Sequence, residues 1–587
     1  MRKLNVNKMK QKKKVYTTAI MAILTLSIVL ASIPMAKAVD PEYPLSGRGI
    51  VLVQGAPIKG SNGINFDSND RLYIASGFGS EIVVMDPDSG TILERISGTP
   101  YPDDLTFGPD GSLYYTSIGT GYVYRIKPDG NITKQYVAAG VNPITFSSTG
   151  RLFVALDFYG DGLYELDPEL VAAPKKLNGE TPLGYLNGMD FGPDGLLYGP
   201  IWTQGRVVKI DVDAVPFAMT TVCDENIGVP AAVKFDSKGN LYVADTLKGE
   251  VCRIFGVAGH KAVVATGLAA MDNIAFDSHD RLFVSSSGDG SINEVLPSGE
   301  KRLVSKGGMT QPGGVTVVSD SNGNESVFVA DLWGIQEYDG LTGNAKSAVY
   351  SGLAVSDTIV TPRTVSFDGE NLILAASMSN GVQVWNLETG NGTMVSTLSA
   401  LNAIRFGDEI VISLRTGVIR ASDNSSIADV SGFATGLAAI GDDLYVAEWN
   451  SGIVWRIVYD GVPTKVQVAT GLSRPEGLAV DLNGDLLVVE SGAGRVSRIN
   501  LATGTVSVVV DGLELGAAGA SGLGAAFNGI AVGSSGYIYV TGDTAKVLYR
   551  LEPTIPEGST IIVMLFLSTI AVIVSTRYPR KRQKPVP

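Results

Sequence analysis

Phe235-Asp236-Ser237-Lys238-Gly239-Asn240-Leu241-Tyr242-Val243-Ala244-Asp245 carries the pattern that decides the fold. An apolar run ends at Phe235, a turn built from Asp, Gly and Asn follows, and Leu241 to Ala244 then reads as a strand. The block returns as Asn62-Gly63-Ile64-Asn65-Phe66 with Leu72-Tyr73-Ile74-Ala75, as Asn187-Gly188-Met189-Asp190-Phe191 with Leu197-Tyr198, and as Pro475-Glu476-Gly477-Leu478-Ala479-Val480 with Leu486-Leu487-Val488-Val489. Twelve copies lie between residues 61 and 553. The eleven steps from Gly63 to Gly529 average about 42 residues, a period that belongs to repeat architectures.

Each copy holds four short strand-like runs, such as 63–66, 72–76, 81–85 and 91–96, separated by turns such as Asp86-Pro87-Asp88-Ser89-Gly90. Four strands every 40 to 50 residues describe a β-propeller blade, and propellers usually have four to eight blades. The expected fold class is therefore all-β, with two tandem six-bladed propellers over 39–308 and 309–554; seven plus five blades is the other division. No Trp-Asp pair ends the blades, which argues against the WD type. The strand Ile50-Val51-Leu52-Val53 precedes the first copy, and the last copy lacks a fourth strand after Val547-Leu548-Tyr549-Arg550. Pairing these two would cover both edges, close the first ring and leave Arg302-Leu303-Val304-Ser305 to complete the second.

The blade pattern resembles the NHL repeat and the six-bladed propellers of the senescence-marker-protein/gluconolactonase family over nearly all of residues 50 to 553. Phe235 to Asp245 and Pro475 to Val489 are the closest matches. The resemblance implies architecture more than activity, because this fold hosts lactonases, lyases and pure binding modules.

Charge is distributed unevenly along the 587 residues. Residues 1 to 38 hold eight basic residues and no acid, and residues 559 to 587 hold five basic residues and no acid. Of the 46 Lys and Arg, 33 therefore remain in the middle against all 59 Asp and Glu, which repels nucleic acid. The basic run ending at Lys12-Lys13-Lys14, the apolar run from Thr18 to Ile33, and Ala36-Lys37-Ala38 predict a signal peptide over 1–38, with an uncleaved anchor helix as the other reading. Ser559 to Thr576 is long enough to span a bilayer, and the basic run Arg577 to Lys584 should stay on the cytoplasmic side. Pro556-Glu557-Gly558 before that segment and its basic tail resemble the C-terminal sorting signals read by archaeosortases and exosortases, with Gly558 where those motifs have Phe or Pro. That resemblance implies an archaeal surface protein whose segment 555–587 serves as sorting signal or anchor.

In a propeller, the residue before each innermost strand points into the mouth of the central channel. In the first ring these are Asn62, Asp103, Asn142, Asn187, Ala231 and Asp272. Five of the six offer oxygen, the ligand chemistry of Ca²⁺; the same residues before Gly also shape turns. The gluconolactonase resemblance implies a metal held by Glu, Asn and Asp. Asn187 and Asp272 match as residue types, and Asn62 replaces the Glu. The second ring reads Gly313, Arg363, Asn402, Gly436, Glu476 and Asn528. Glu476-Gly477-Leu478 matches the family's Glu-Gly step, but no Asp completes the set. This mouth reads as a polar, dry-lined channel, or as one whose small Gly positions leave room for a ligand.

Only two His and two Cys are present. His260 falls on an outer strand and His279 in a turn, too far from either mouth for a nucleophile pair. Cys223 and Cys252 lie on adjacent blades, and export leaves a disulfide between them open. Asn131, Asn324, Asn391 and Asn424 begin glycosylation sequons in turns or at strand edges. The expected function is a surface-anchored propeller that binds a protein, glycan or small molecule; the alternative is an extracellular metal-dependent lactonase or esterase.

Overall fold

The structure, a computed structural model, describes residues 49–351, 359–376, 381–458, 463–516 and 527–552. These residues form twelve antiparallel four-stranded sheets. The first is Ser61–Phe66, Leu72–Ser76, Glu81–Met85 and Ile92–Ser97, in the order of the runs expected from the sequence. Helical structure among the described residues is limited to the 3-10 turns Gly77–Gly79 and Trp202–Gln204.

The recurrent Asp-x-x-Gly-x turn has a direct cause. The Asp236 carboxylate accepts the backbone N–H groups of Lys238 at 3.0 Å and Asn240 at 2.8 Å, while Gly239 takes φ of +77°. An acceptor that closes the turn and a residue free to enter the left-handed region together reverse the chain in register. Asp67, Asp277, Asp320 and Asp481 close the corresponding turns of other blades in the same way.

The innermost strands Ser61–Phe66, Pro102–Phe107, Val141–Phe146, Asp190–Phe191, Pro230–Phe235 and Met271–Phe276 touch in that order, and the last touches the first. A second cycle runs through Pro312–Ser319, Pro362–Phe367, Asn402–Phe406, Ala434–Ile440, Pro475–Val480 and Ile530–Val532. The inner strands crowd the axis: a Cβ on Gly63 would stand 2.5 Å from the Asp104 Cα. Apolar residues fill the space between neighbouring sheets, as Ile64, Ile74, Val83, Phe283 and Ile292 do between the first and sixth.

The closure of the rings corrects part of the expectation. Gly49–Val53 does pair with Val547–Leu551, but in the second ring, so the unit expected over 39–308 contributes its first strand to the unit expected over 309–554. Lys301–Ser305 stays in the first ring, paired with Ile292–Val295. The sixth blade is complete with its own four strands, and only the last blade lacks one. The first ring closes through side chains instead. Ser285 Oγ donates to the Asn62 carbonyl at 2.5 Å, and Ser61 Oγ to the Gly290 carbonyl at 2.8 Å. In the second ring Thr541 Oγ1 donates to the Gly313 carbonyl, and Tyr539 donates its hydroxyl to Glu325 at 2.7 Å.

Because the first strand belongs to the second ring, the chain crosses between rings twice. The crossings meet where the Ala56 N–H donates to the Met309 carbonyl at 2.9 Å. Cys223 and Cys252 are free thiols buried in one apolar cluster, so the disulfide left open by the sequence is not formed. Among the described residues no helix is long and apolar enough to cross a membrane. The segments read as signal peptide, 1–38, and as sorting signal and anchor, 555–587, lie outside the described residues.

Candidate functional site

The first-ring mouth is shaped by an irregularity repeated in its inner strands. Pairing with the second strand skips between Ser61 and Ile64, Pro102 and Leu105, Val141 and Ile144, Pro230 and Ala232, and Met271 and Ile274. A bulge releases residues from the ladder and re-aims their side chains.

Asn62, Asp103, Asn142, Asn187 and Asp272 line one cavity of about 400 Å³. Ala231, the sixth position, is buried against Phe158 and Trp202 instead. Aromatic residues form much of the wall: Phe78, Tyr101, Phe158 and Tyr159 from the first ring, with Trp333 from the second. Tyr101 and Phe158 hold φ of 43° and 56°, a costly conformation for bulky residues that here sets rings at the mouth. Gln311 and Leu332 complete the second ring's share of the lining.

The acids of this mouth are buried together. Asp103 is 8% exposed, and its Oδ1 accepts the Asn62 Nδ2 at 2.8 Å. Burial pushes its carboxyl up to about 7, against the Asn62 hydrogen bond and with help from the charges of Asp104 and Asp157. Asp272 is raised well above the ordinary range by burial and then by Asp103, Asp104 and Asp157. No hydrogen bond reaches the Asp272 carboxylate among the described residues. Asp157 is pushed up to about 6 by burial, although Trp202 Nε1 donates to it at 2.7 Å and Asn142 Nδ2 at 3.4 Å. No basic group opposes these shifts at Asp103 or Asp272, so the cavity carries carboxylates without a counter-charge.

Sequence reasoning missed Asp104, Asn273 and Asp157. Asp104 accepts Asn273 Nδ2 at 3.1 Å and the Ile144 N–H at 3.1 Å, joining three blades across the channel below the mouth. Strict alternation assigns one channel residue per strand end; the bulge delivers two. The signal available was the polar doublet, Asp103-Asp104 and Asp272-Asn273. Asp157 follows the second strand Leu152–Leu156 and so lies outside the positions that precede the inner strands.

The donor set accommodates Ca²⁺ only in part. The Asn187 Oδ1 accepts the Gly188 N–H at 2.8 Å, and the amide nitrogens of Asn62 and Asn142 are turned to carboxylates. Asp103, Asp272 and the amide oxygens of Asn62 and Asn142 remain, so most of the six to eight oxygens of a Ca²⁺ shell would have to be water or second carboxylate oxygens. Among the described residues, three acidic, imidazole or thiolate ligand atoms come within 4.8 Å of one another only at Asp70, Asp277 and His279. There Asp277 is already paired with Arg281, and His279 is exposed.

The second mouth is largely satisfied from within, with Arg363 Nε left as a buried donor without a partner among the described residues. Glu476 Oε2 accepts both the N–H and the Nδ2 of Asn528 at 2.7 Å, and Oε1 accepts Trp449 Nε1 at 3.2 Å. Arg363 donates to the Ala400 carbonyl at 3.1 Å, and burial followed by the charge of Arg415 lowers it to about 10. Asn402 accepts the Ala403 N–H at 2.8 Å and, alone of the four, lines the channel of about 320 Å³ beneath. His260 sits on the outer strand His260–Ala265, paired with Glu225 at the surface. The four sequon asparagines are exposed, each beside a first-to-second or third-to-fourth strand turn. In an antiparallel blade those turns lie on the face opposite the mouth.

No family model matches this chain. A stretch of 117 residues is 36% identical to the WD repeat and SOCS box-containing protein 1 of Takifugu rubripes, covering 17% of this chain and 27% of that protein. Similar solved structures include a streptogramin B lyase, at 16% identity and TM-score 0.36 over 48% of this chain and 94% of that one. A gluconolactonase from Xanthomonas campestris matches at 16% identity and TM-score 0.34, over 41% and 86%. Virginiamycin B lyase from Staphylococcus aureus matches at 15% identity and TM-score 0.22, over 54% and 92%.

Proposed function

We propose that this protein is an exported, surface-anchored tandem propeller that binds a small ligand at the mouth of its first ring. One observation carries the reading: five ring positions, of which Asp103 and Asp272 have no counter-charge, converge on one aromatic-walled cavity of about 400 Å³. That size and mixture of apolar wall and few polar groups is typical of small-molecule sites. The acidic body and the basic, apolar ends support export and anchoring. A glycan at Asn131 would sit on the face of the first ring opposite this mouth, and glycans at Asn324, Asn391 and Asn424 would sit on the second ring.

The first test is whether protease added to intact cells degrades the propeller body, as display outside the membrane requires. Intracellular protection of that body would remove the surface reading. The second is a small-molecule screen by thermal shift with wild-type protein and Asp272→Ala. Hits that shift both proteins equally would place binding elsewhere.

The alternative is a Ca²⁺-dependent lactone hydrolase, favoured by the carboxylates Asp103 and Asp272, which have no counter-charge at this mouth. Those two residues with the amide oxygens of Asn62 and Asn142 would hold the ion, which when bound supplies a Lewis acid for a substrate carbonyl. Bound-metal analysis and lactone hydrolysis before and after Asp272→Ala separate the readings. Metal-dependent turnover lost in the variant would favour the hydrolase.

A further inference from the structure

Resting on the reading of the first mouth as a small-ligand site, we propose that its ligand is an organic ammonium, held between carboxylates and aromatic faces, and that the second ring supplies part of the site. Three features converge. Asp103 is buried with one carboxylate oxygen bonded to Asn62, and Asp272 has no hydrogen-bond partner among the described residues. A buried carboxylate without a counter-charge is relieved by a cation or by a proton. The wall carries Phe78, Tyr101, Phe158, Tyr159 and Trp333, whose π faces attract cations that shed their water readily.

The volume discriminates between cations. About 400 Å³ is far larger than a bare metal ion, and among the described residues no three carboxylate, imidazole or thiolate atoms converge at this mouth to fix one. Tyr101 and Tyr159 are 48% and 66% exposed, an apolar surface for a ligand to cover at the mouth. An alkylammonium or quaternary ammonium satisfies all three: charge for the acids, apolar bulk for the volume, and weak hydration for the rings. Trp333, Leu332 and Gln311 enter from the second ring, so the site is incomplete without it.

The test titrates benzyltrimethylammonium and choline into the full-length protein in detergent, with neopentylbenzene as the uncharged isostere and CaCl₂ as the metal control. The expected result is binding of a quaternary ammonium at least tenfold tighter than the isostere, weakened at least tenfold by Asp272→Asn and at least threefold by Trp333→Ala. Tyr159→Ala, at an exposed position that tolerates truncation, should also weaken it threefold; thermal melts check that each variant is folded. Equal affinity for cation and isostere would overturn the ammonium and leave the small-ligand site. Binding of Ca²⁺ alone, lost in Asp272→Asn, would overturn it in favour of the metal. Binding indifferent to both Trp333→Ala and Tyr159→Ala would overturn the aromatic contribution, and absence of binding by every probe would overturn the ammonium proposal and count against the mouth itself.

Discussion

Asn62 donates its Nδ2 to Asp103 Oδ1 at 2.8 Å, linking the first blade to the second across the mouth of the first ring. This bond stabilises the ionised carboxylate, yet burial outweighs it and raises Asp103 to about 7. Burying acids without a counter-charge in this way trades stability for function.

That trade has a pH signature. The Asp103 carboxyl has an ordinary value of 3.8 and rises to about 7 on folding, so the folded protein binds this proton more tightly than the unfolded chain. Stability therefore falls as pH rises from about 4 and levels off above about 7. Asp103→Asn should raise stability at pH 8 by ~1–3 kcal/mol, and by less at pH 5, since each tenfold gain in proton affinity corresponds to ~1.4 kcal/mol. Denaturant unfolding at the two pH values measures both; an equal effect at each would show that charge is not the cause.

Removing the first strand should damage the ring that is distant in sequence. Without Gly49–Val53 the strand Val547–Leu551 becomes an open edge, and Leu52 leaves the cluster it shares with Met309, Tyr539 and Leu548. Leu52→Ala alone should cost ~2–4 kcal/mol. Hydrogen exchange should accelerate over 538–551 and remain slow over 61–97; the reverse pattern would contradict the threading.

Glu476 should prove structural. Glu476→Ala strands the Asn528 amide and the Trp449 indole N–H in the core, at a cost of ~2–4 kcal/mol. Glu476→Gln keeps an acceptor and should cost less. Ligand binding at the first mouth, measured on folded protein, should be unchanged in both.

The thiols should be free and inert. Burial raises Cys223, and raises Cys252 to about 11, which suppresses the thiolate that alkylating reagents need. Mass spectrometry after iodoacetamide should find no label on native protein and two labels after unfolding without reductant. Two labels that appear only after reduction would mean a disulfide.

Local chemistry was enough to read the blades from the sequence. Asp236 and Gly239 build their turn from contacts within five residues, and the alternation of Leu241 to Ala244 needs only a buried and a less buried face. The five oxygen-bearing positions that converge on the first mouth were legible for the same reason, since a repeat multiplies one position around an axis. Three features depended on the tertiary structure. Alternation gives no sign of the bulges that turn Asp104 and Asn273 inward beside their neighbours. Two unmatched edges in the sequence pointed to the partner of Gly49–Val53 some 500 residues away, but which ring that pair closes was decided only by how the blades pack around each axis. The protonation of Asp103 and the presence of Trp333 at the same cavity depend on burial and on how two rings meet, both of which exist only once the chain has closed.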